Sequence, residues 1–253
     1  MIIGGVQHDV IWEDAVATHG VVEPLIAEAV DAGAELVVLT EMFSTGFTSD
    51  PQRQAQGPDG SSVMFLSEQA QRFGITLMAS LPWRLADGSG FTNRLVMVTS
   101  RGVTAHYDKI HPFSYGHESD HYLSGANTIT VDVGPVRVTP FVCYDLRFAP
   151  EMWRVALTTD CYVMVANWPA GRRHHWRSLV VARAIENQAY VVAVNRVGSG
   201  GGLDYAGDSM IVDPLGEILA DGGDCAGVIA AEVSADTVAN VRRTFPFLQD
   251  RTS

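Results

Sequence analysis

Three cysteines in 253 residues, Cys143, Cys161 and Cys225, are too few for a disulfide framework, and no two have CxxC or zinc-knuckle spacing. Three thiols cannot all pair within one chain, so at least one is free. Basic residues are scarce as well: 17 Lys and Arg stand against 29 Asp and Glu, a net charge of -12. A phosphate backbone is repelled by that balance, which speaks against nucleic acid as a partner. Charges of one sign never form a long block, and no low-complexity linker or fixed-period repeat occurs. No apolar run approaches the roughly 20 residues that span a bilayer, so no membrane partner is expected. Met1 to Val10 has no basic n-region of the secretory kind, and the expected location is the cytoplasm.

The chain does hold material for a core: 47% of its residues are hydrophobic and 18% charged. One domain over residues 1–253 is expected. Strand-like runs rich in Val, Ile and Leu recur at Ile2 to Val6, Leu36 to Thr40, Ile75 to Ser80, Arg94 to Thr99, Val136 to Cys143, Tyr162 to Asn167 and Tyr190 to Asn195. Several are apolar throughout, as strands covered on both faces should be. Helical periodicity runs from Asp14 to Ala32, with Val16, Val22, Ile26, Ala29 and Val30 on one face, and from Ser61 to Phe73, with Met64, Phe65 and Phe73. Two further helices are expected from Pro150 to Leu157 and from His174 or His175 to Asn187. Asp208 to Val212 and Glu217 to Ala220 flank the turn signal Asp213-Pro214-Leu215-Gly216, and Gly227 to Val233 adds a strand. The Gly198 to Gly202 cluster reads as a mobile loop. Alternating helices and buried strands with a late hairpin predict an α/β fold, a mixed sheet system with helices outside it.

Three strand ends carry chemistry. Leu36 to Thr40 delivers Glu41 into the apolar segment Met42 to Phe47, where a carboxylate either caps a turn or serves as a base. Lys109 lies among His106, Tyr107, His111 and Phe113, groups that would desolvate an ammonium. It is either a surface salt-bridging lysine or a buried one, and a buried one needs a carboxylate partner to stay charged. Cys143 ends an apolar strand where the pattern turns helical, near free backbone N–H groups able to hold an oxyanion. That placement suits a nucleophile, whereas Cys161 and Cys225 read as ordinary mid-strand cysteines. His111, His117 and His121 lack regularly spaced acidic ligands, so solvated or supporting roles are expected and no metal.

Taken together, Leu39-Thr40-Glu41-Met42-Phe43-Ser44-Thr45-Gly46-Phe47, Tyr107-Asp108-Lys109-Ile110-His111-Pro112-Phe113 and Cys143-Tyr144-Asp145-Leu146-Arg147-Phe148 resemble, in order and spacing, the signature blocks of the nitrilase superfamily of carbon-nitrogen hydrolases. Ala182 to Gln188 and Gly207-Asp208-Ser209 extend the resemblance over nearly the whole chain. It implies a four-layer alpha-beta-beta-alpha sandwich, assembled as a homodimer or larger homo-oligomer through a helical face. It also implies catalysis by Glu41 as base, Lys109, and Cys143 as nucleophile, with Glu118 orienting the lysine and the backbone N–H of Tyr144 helping to hold the oxyanion. No metal or organic cofactor is implied.

Within the superfamily the string Glu41 to Phe47, the Cys143 block and Ala166-Asn167-Trp168-Pro169-Ala170 look most like the omega-amidase branch. The implied substrate is a small-molecule amide with a carboxylate at its far end, such as 2-oxoglutaramate or 2-oxosuccinamate. Arg147 would grip that carboxylate, with the backbone around Trp168 closing the pocket. Arg147 could instead pair with Glu151 or Asp145, leaving the carboxylate to Arg172 or Arg173. Other readings are an N-carbamoyl amino-acid hydrolase or other aliphatic amidase, and a non-catalytic binding or scaffold subunit. Two departures from the family pattern stand out. Thr40 replaces the usual proline before the base, which would loosen the turn that aims Glu41. One extra residue in Ala149-Pro150-Glu151 would shift the helix behind Cys143.

Overall fold

The computed structural model describes residues 1–251. Its first half runs β1 (Ile2–Gln7), α1 (Ala15–Asp31), β2 (Leu36–Val38), the single turn α2 (Pro51–Gln54), α3 (Ser61–Phe73), β3 (Thr76–Arg84), β4 (Phe91–Thr99) and β5 (Gly102–Asp108). The second half adds β6 (Val131–Val133), β7 (Val136–Val142), α4 (Ala149–Val155), β8 (Cys161–Ala166), α5 (Arg173–Asn187) and β9 (Tyr190–Asn195). It then continues through β10 (Val197–Gly200), β11 (Leu203–Ala206), β12 (Met210–Val212), β13 (Ile218–Asp221), β14 (Gly227–Glu232) and α6 (Ala235–Thr244).

Two six-stranded sheets result, in the orders β14-β1-β2-β3-β4-β5 and β13-β12-β9-β8-β7-β6. Each has a parallel centre, β1-β2-β3 and β7-β8-β9, made by helical crossovers, with antiparallel strands outside it. β14 returns from the second half to pair with β1, Gly4 opposite Ala230, which ties the halves together. Residue alternation explains why the central strands are apolar throughout. Leu36 and Val38 of β2 join the core between the sheets, while Val37 and the following Leu39 join the cluster of α1 and α3 with Val22, Ile26, Phe65 and Leu66. On the other side Trp176, Val180 and Ala184 of α5 cover the second sheet. The layers are therefore helix, sheet, sheet, helix, as the resemblance implies. Each buried Leu, Ile or Val contributes about 1.5–3 kcal/mol to holding them together. Gly5 lets the sheets approach, because a Cβ there would stand 2.8 Å from Val194 Cγ2 of β9.

Several local expectations are corrected. Val16 and Met64 are exposed, at 74% and 54%, because α1 buries Thr18, Val22, Ile26 and Ala29, and α3 buries Val63, Phe65, Leu66 and Ala70. The Gly198 to Gly202 cluster is no irregular loop: β10 and β11 form a hairpin with Val197 opposite Ala206, and Gly201 and Gly202 turn it at positive φ. Cys225 is exposed and lies before β14, so it is not a mid-strand cysteine; Cys161 is fully buried at the start of β8. β5, β6 and α6 are additional elements. β5 is a mostly exposed edge strand and α6 buries only Val238 and Val241, so neither shows a strong apolar pattern.

Candidate active site

Residues from both sheets meet at one end of the sandwich. Glu41, Cys143 and Asn167 lie just beyond the C-terminal ends of β2, β7 and β8, where ligands of open α/β sheets commonly bind. β5 runs parallel to β3 through the antiparallel β4, so Lys109 emerges at the same end, and Asn93, near the start of β4, lies beside it.

Lys109 Nζ donates to Glu41 Oε1 and Glu118 Oε2, each at 2.8 Å, and all three side chains are fully buried. Asn93 Nδ2 bridges the same two carboxylates, at 2.8 Å to Glu41 Oε1 and 3.0 Å to Glu118 Oε1. The amide faces that way because its Oδ1 accepts from Ser80 Oγ, which itself accepts from Met42 N. Glu41 Oε2 accepts from Asn167 N, the Glu41 carbonyl from Asn167 Nδ2, and Glu118 Oε2 from Phe113 N. Glu41 is thus pinned at backbone and side chain, and Thr40 does not loosen its turn. The pinned corner is also strained, since Met42 follows at φ 42°.

Burial dominates the electrostatics here. It would lower Lys109, but Glu118 and Glu41 outweigh it and hold the lysine well above its ordinary range, so the ammonium stays charged. Burial raises Glu118 against the pull of Lys109. Burial and then the charge of Glu41 raise the Cys143 thiol well above normal, with Lys109 opposing. The resting thiol therefore keeps its proton beside a carboxylate that can accept it.

Cys143 itself stands at φ 47°, a left-handed conformation at the step from β7 into a 3-10 turn, Cys143–Arg147. The first N–H groups of such a turn have no intrahelical acceptor, Tyr144 N among them. Asp145, fully buried, fastens this corner: it accepts from Val142 N at 3.0 Å, Tyr107 Oη at 2.7 Å, His111 N at 3.0 Å and His111 Nδ1 at 2.9 Å. The segment carrying Lys109 and the turn carrying Cys143 are thereby locked together. Phe148 joins the 3-10 turn to α4 and stacks on His111, with ring centroids 3.6 Å apart.

Cys143 opens into a cavity of about 200 Å³ with largely aromatic walls, among them Trp12, Phe47, Phe113 and Trp168. Two guanidiniums line it. Arg147 lies 4.8 Å over Trp168 and donates to His175 Nδ1 at 3.2 Å; Arg172 lies 5.3 Å over Phe113. Trp168 is fixed by its N–H to Asn195 Oδ1 and its Nε1–H to the Arg172 carbonyl. The β10–β11 hairpin contributes Gly201, Leu203 and Tyr205.

The carbon-nitrogen hydrolase family model matches residues 3–243. The chain belongs to that family. It is 40% identical over 220 residues to the omega-amidase YafV of Escherichia coli, covering 86% of this chain and 84% of that one. It is 33% identical to a 2-oxoglutaramate amidase of Bacillus subtilis, over 86% and 85% of the two chains. Among solved structures, the CN-hydrolase superfamily protein XC1258 of Xanthomonas campestris, which holds an arsenic adduct in its active site, superposes with a TM-score of 0.93. The two are 35% identical, over 100% of this chain and 97% of that one. This carbon-nitrogen hydrolase thus falls in the omega-amidase-like branch of the nitrilase superfamily. It is a hydrolase acting on carbon-nitrogen bonds other than peptide bonds.

Within the hydrolase, Glu41, Lys109, Glu118 and Cys143 come together as one cluster, and Lys109 is buried with two partners rather than a surface lysine. Tyr144, Arg147 and Trp168 all line the adjoining cavity. Arg147 pairs with neither Glu151, which binds Arg154 at 2.8 Å, nor Asp145, whose contacts are given above. Arg173 does not line this cavity, and its guanidinium is tied to Asp208. The described residues contain no group of three or more His, Cys, Asp or Glu able to hold a metal; His111 serves Asp145 and His117 meets Asp120. No helix among them is long and apolar enough to cross a membrane. Asn93, Asn167 and Tyr205 were not foreseen. Asn93 carried no apolar signal, since Thr92 and Arg94 flank it ahead of the apolar run Leu95 to Val98 of β4.

Proposed function

We propose that this hydrolase cleaves the terminal amide of a small carboxylate-bearing monoamide, as an omega-amidase acting on 2-oxoglutaramate or 2-oxosuccinamate, through a thioester on Cys143. One observation carries the substrate half of this reading. Arg147, in a chain with a net charge of -12, is held over Trp168 against the cavity beside Cys143 and meets no described carboxylate. A planar guanidinium presented this way suits the far carboxylate of such a monoamide. The names of the relatives, omega-amidase and 2-oxoglutaramate amidase, agree with it.

The chemistry follows from the hydrogen-bond assignments. Glu41 Oε1 already accepts from Lys109 and Asn93, whereas Oε2 accepts only from Asn167 N, so Oε2 has the lone pair free for the thiol proton. As that proton moves, Cys143 Sγ bonds to the amide carbon. Lys109 spends two N–H groups on Glu41 and Glu118, and its third, with Tyr144 N–H, holds the oxyanion. Collapse breaks the C–N bond, and ammonia leaves with the proton from Glu41. Water, deprotonated by Glu41, then attacks the thioester and releases the acid and the thiol. Glu118 acts as a positioning residue that keeps Lys109 in place. We take residues 1–253 as one catalytic domain, working in the cytoplasm as a homodimer or larger homo-oligomer, without metal or organic cofactor.

A panel of amides assayed for ammonia tests the substrate assignment. 2-Oxoglutaramate and 2-oxosuccinamate should exceed unsubstituted aliphatic amides and N-carbamoyl amino acids in kcat/KM by at least about tenfold, the value of one charge-assisted contact. Poor turnover of both oxo acids would remove the omega-amidase reading while leaving the amidase chemistry in place.

A further inference from the structure

A single fork of donors satisfies a carboxylate, yet the cavity beside Cys143 holds two guanidiniums. Arg172 is the second. It lies over Phe113, 5.3 Å from the ring centroid, and its side chain makes no hydrogen bond or ion pair to any described residue. Its backbone is fixed on both sides, with Arg172 N donating to the Pro169 carbonyl at 3.0 Å and its own carbonyl accepting from Trp168 Nε1 at 2.9 Å. The guanidinium is therefore carried on a firm turn while its five N–H donors remain unspent. Pro169 is in turn bridged, backbone to backbone, to Tyr205 of the hairpin. Tyr205 is almost wholly buried, its ring lies 4.5 Å from the Arg196 guanidinium, and its hydroxyl has no hydrogen-bond partner among the described residues. Both groups line the same cavity as Arg147.

A 2-oxo acid presents three oxygens side by side, two of the carboxylate and one of the ketone. In a small cavity with aromatic walls, an acceptor left without a donor destabilises the complex, so the third oxygen needs a donor beyond the first fork. We infer that Arg172, supported by the Tyr205 hydroxyl, binds the 2-oxo oxygen of the substrate while Arg147 takes the carboxylate, making Arg172 the residue that selects 2-oxo acids over plain carboxylates. This inference rests on the omega-amidase reading and adds to it the element that distinguishes 2-oxoglutaramate from glutaramate.

The test compares kcat/KM for 2-oxoglutaramate and glutaramate, which differ only in the oxo group, in the wild-type protein and in the Arg172→Gln, Arg172→Lys and Tyr205→Phe variants. The wild type should favour the oxo substrate. Arg172→Gln should shrink that preference by on the order of tenfold to a hundredfold, mainly through KM, with a smaller loss on glutaramate. Arg172→Lys keeps the charge and should retain part of the preference, and Tyr205→Phe should lower it a few-fold. The preference is a ratio within one protein, so a general loss of folded enzyme does not move it, and Arg172→Lys carries the test if Arg172→Gln does not fold. A preference unchanged in the Arg172 variants would overturn the inference. So would equal turnover of the two substrates by the wild type, which leaves an amidase of carboxylate-bearing monoamides standing. Turnover of neither would overturn the parent reading and this one together.

Discussion

Replacing Cys143 by alanine should lower kcat by about 10⁴- to 10⁶-fold, the loss typical when a nucleophile is removed from a group of residues that act as a unit. Melting should move little, because the change deletes one sulfur atom at a site already strained by its left-handed backbone, and alanine accepts φ 47° no worse than cysteine does. The corner should also persist, since Asp145 holds it through Val142, Tyr107 and His111 without using the thiol. Activity assays and thermal melts on the same preparation check both halves. A folded Cys143→Ala protein with wild-type turnover would be incompatible with covalent catalysis at this residue.

Lys109→Ala should be harmful in two ways. Catalysis loses an oxyanion donor, and the fold loses the single cation between Glu41 and Glu118, both fully buried. Breaking a buried ion pair by removing one partner costs about 3–5 kcal/mol, so a large fall in the denaturation midpoint is expected alongside the loss of turnover. The pH dependence has a definite sign. Burial already raises Glu118 and Lys109 opposes that rise, so without the lysine Glu118 holds its proton more tightly than it does in the unfolded chain. The folded variant then binds more proton at Glu118 above the ordinary carboxylate range than the unfolded chain does, so this site's contribution is lost as pH rises and stability falls relative to the wild type. Urea denaturation at several pH values reads this out. A deficit relative to the wild type that is smaller at pH 7 than at pH 5 would contradict the assigned geometry.

The blocks holding Glu41, Lys109 and Cys143 were legible in the sequence because each is short and local and the three, in order, resemble the family's signature blocks. Taken singly each left other readings open, and Lys109 follows an edge strand in which only Tyr107 is buried. Their partners were not legible in this way. Asn93 and Asn167 act on Glu41 across 52 and 126 residues of chain, and only the pairing of strands within and between sheets brings them there. On the helical faces Val22, Ile26, Ala29 and Phe65 are buried as the periodicity predicts, whereas Val16 and Met64 are exposed, since neighbouring positions differ by about 100° and a single apolar side chain can sit off the stripe. The hairpin at Val197 to Ala206 was hidden by its glycines, which have low strand propensity but are what its turn requires. Tyr205 rides on that hairpin, so the hydroxyl that supports Arg172 at the 2-oxo oxygen was hidden with it.

The central claim is that the acyl half of an amide substrate becomes bonded to Cys143 Sγ. Intact-protein mass spectrometry after rapid acid quench of the hydrolase with 2-oxoglutaramate tests it most directly. The expected result is a mass increase equal to the 2-oxoglutaryl group, localised by peptide mapping to Cys143 and absent from Cys143→Ala. Ammonia release at full rate with no adduct at any quench time, or an adduct on Cys161 or Cys225 instead, would contradict the account.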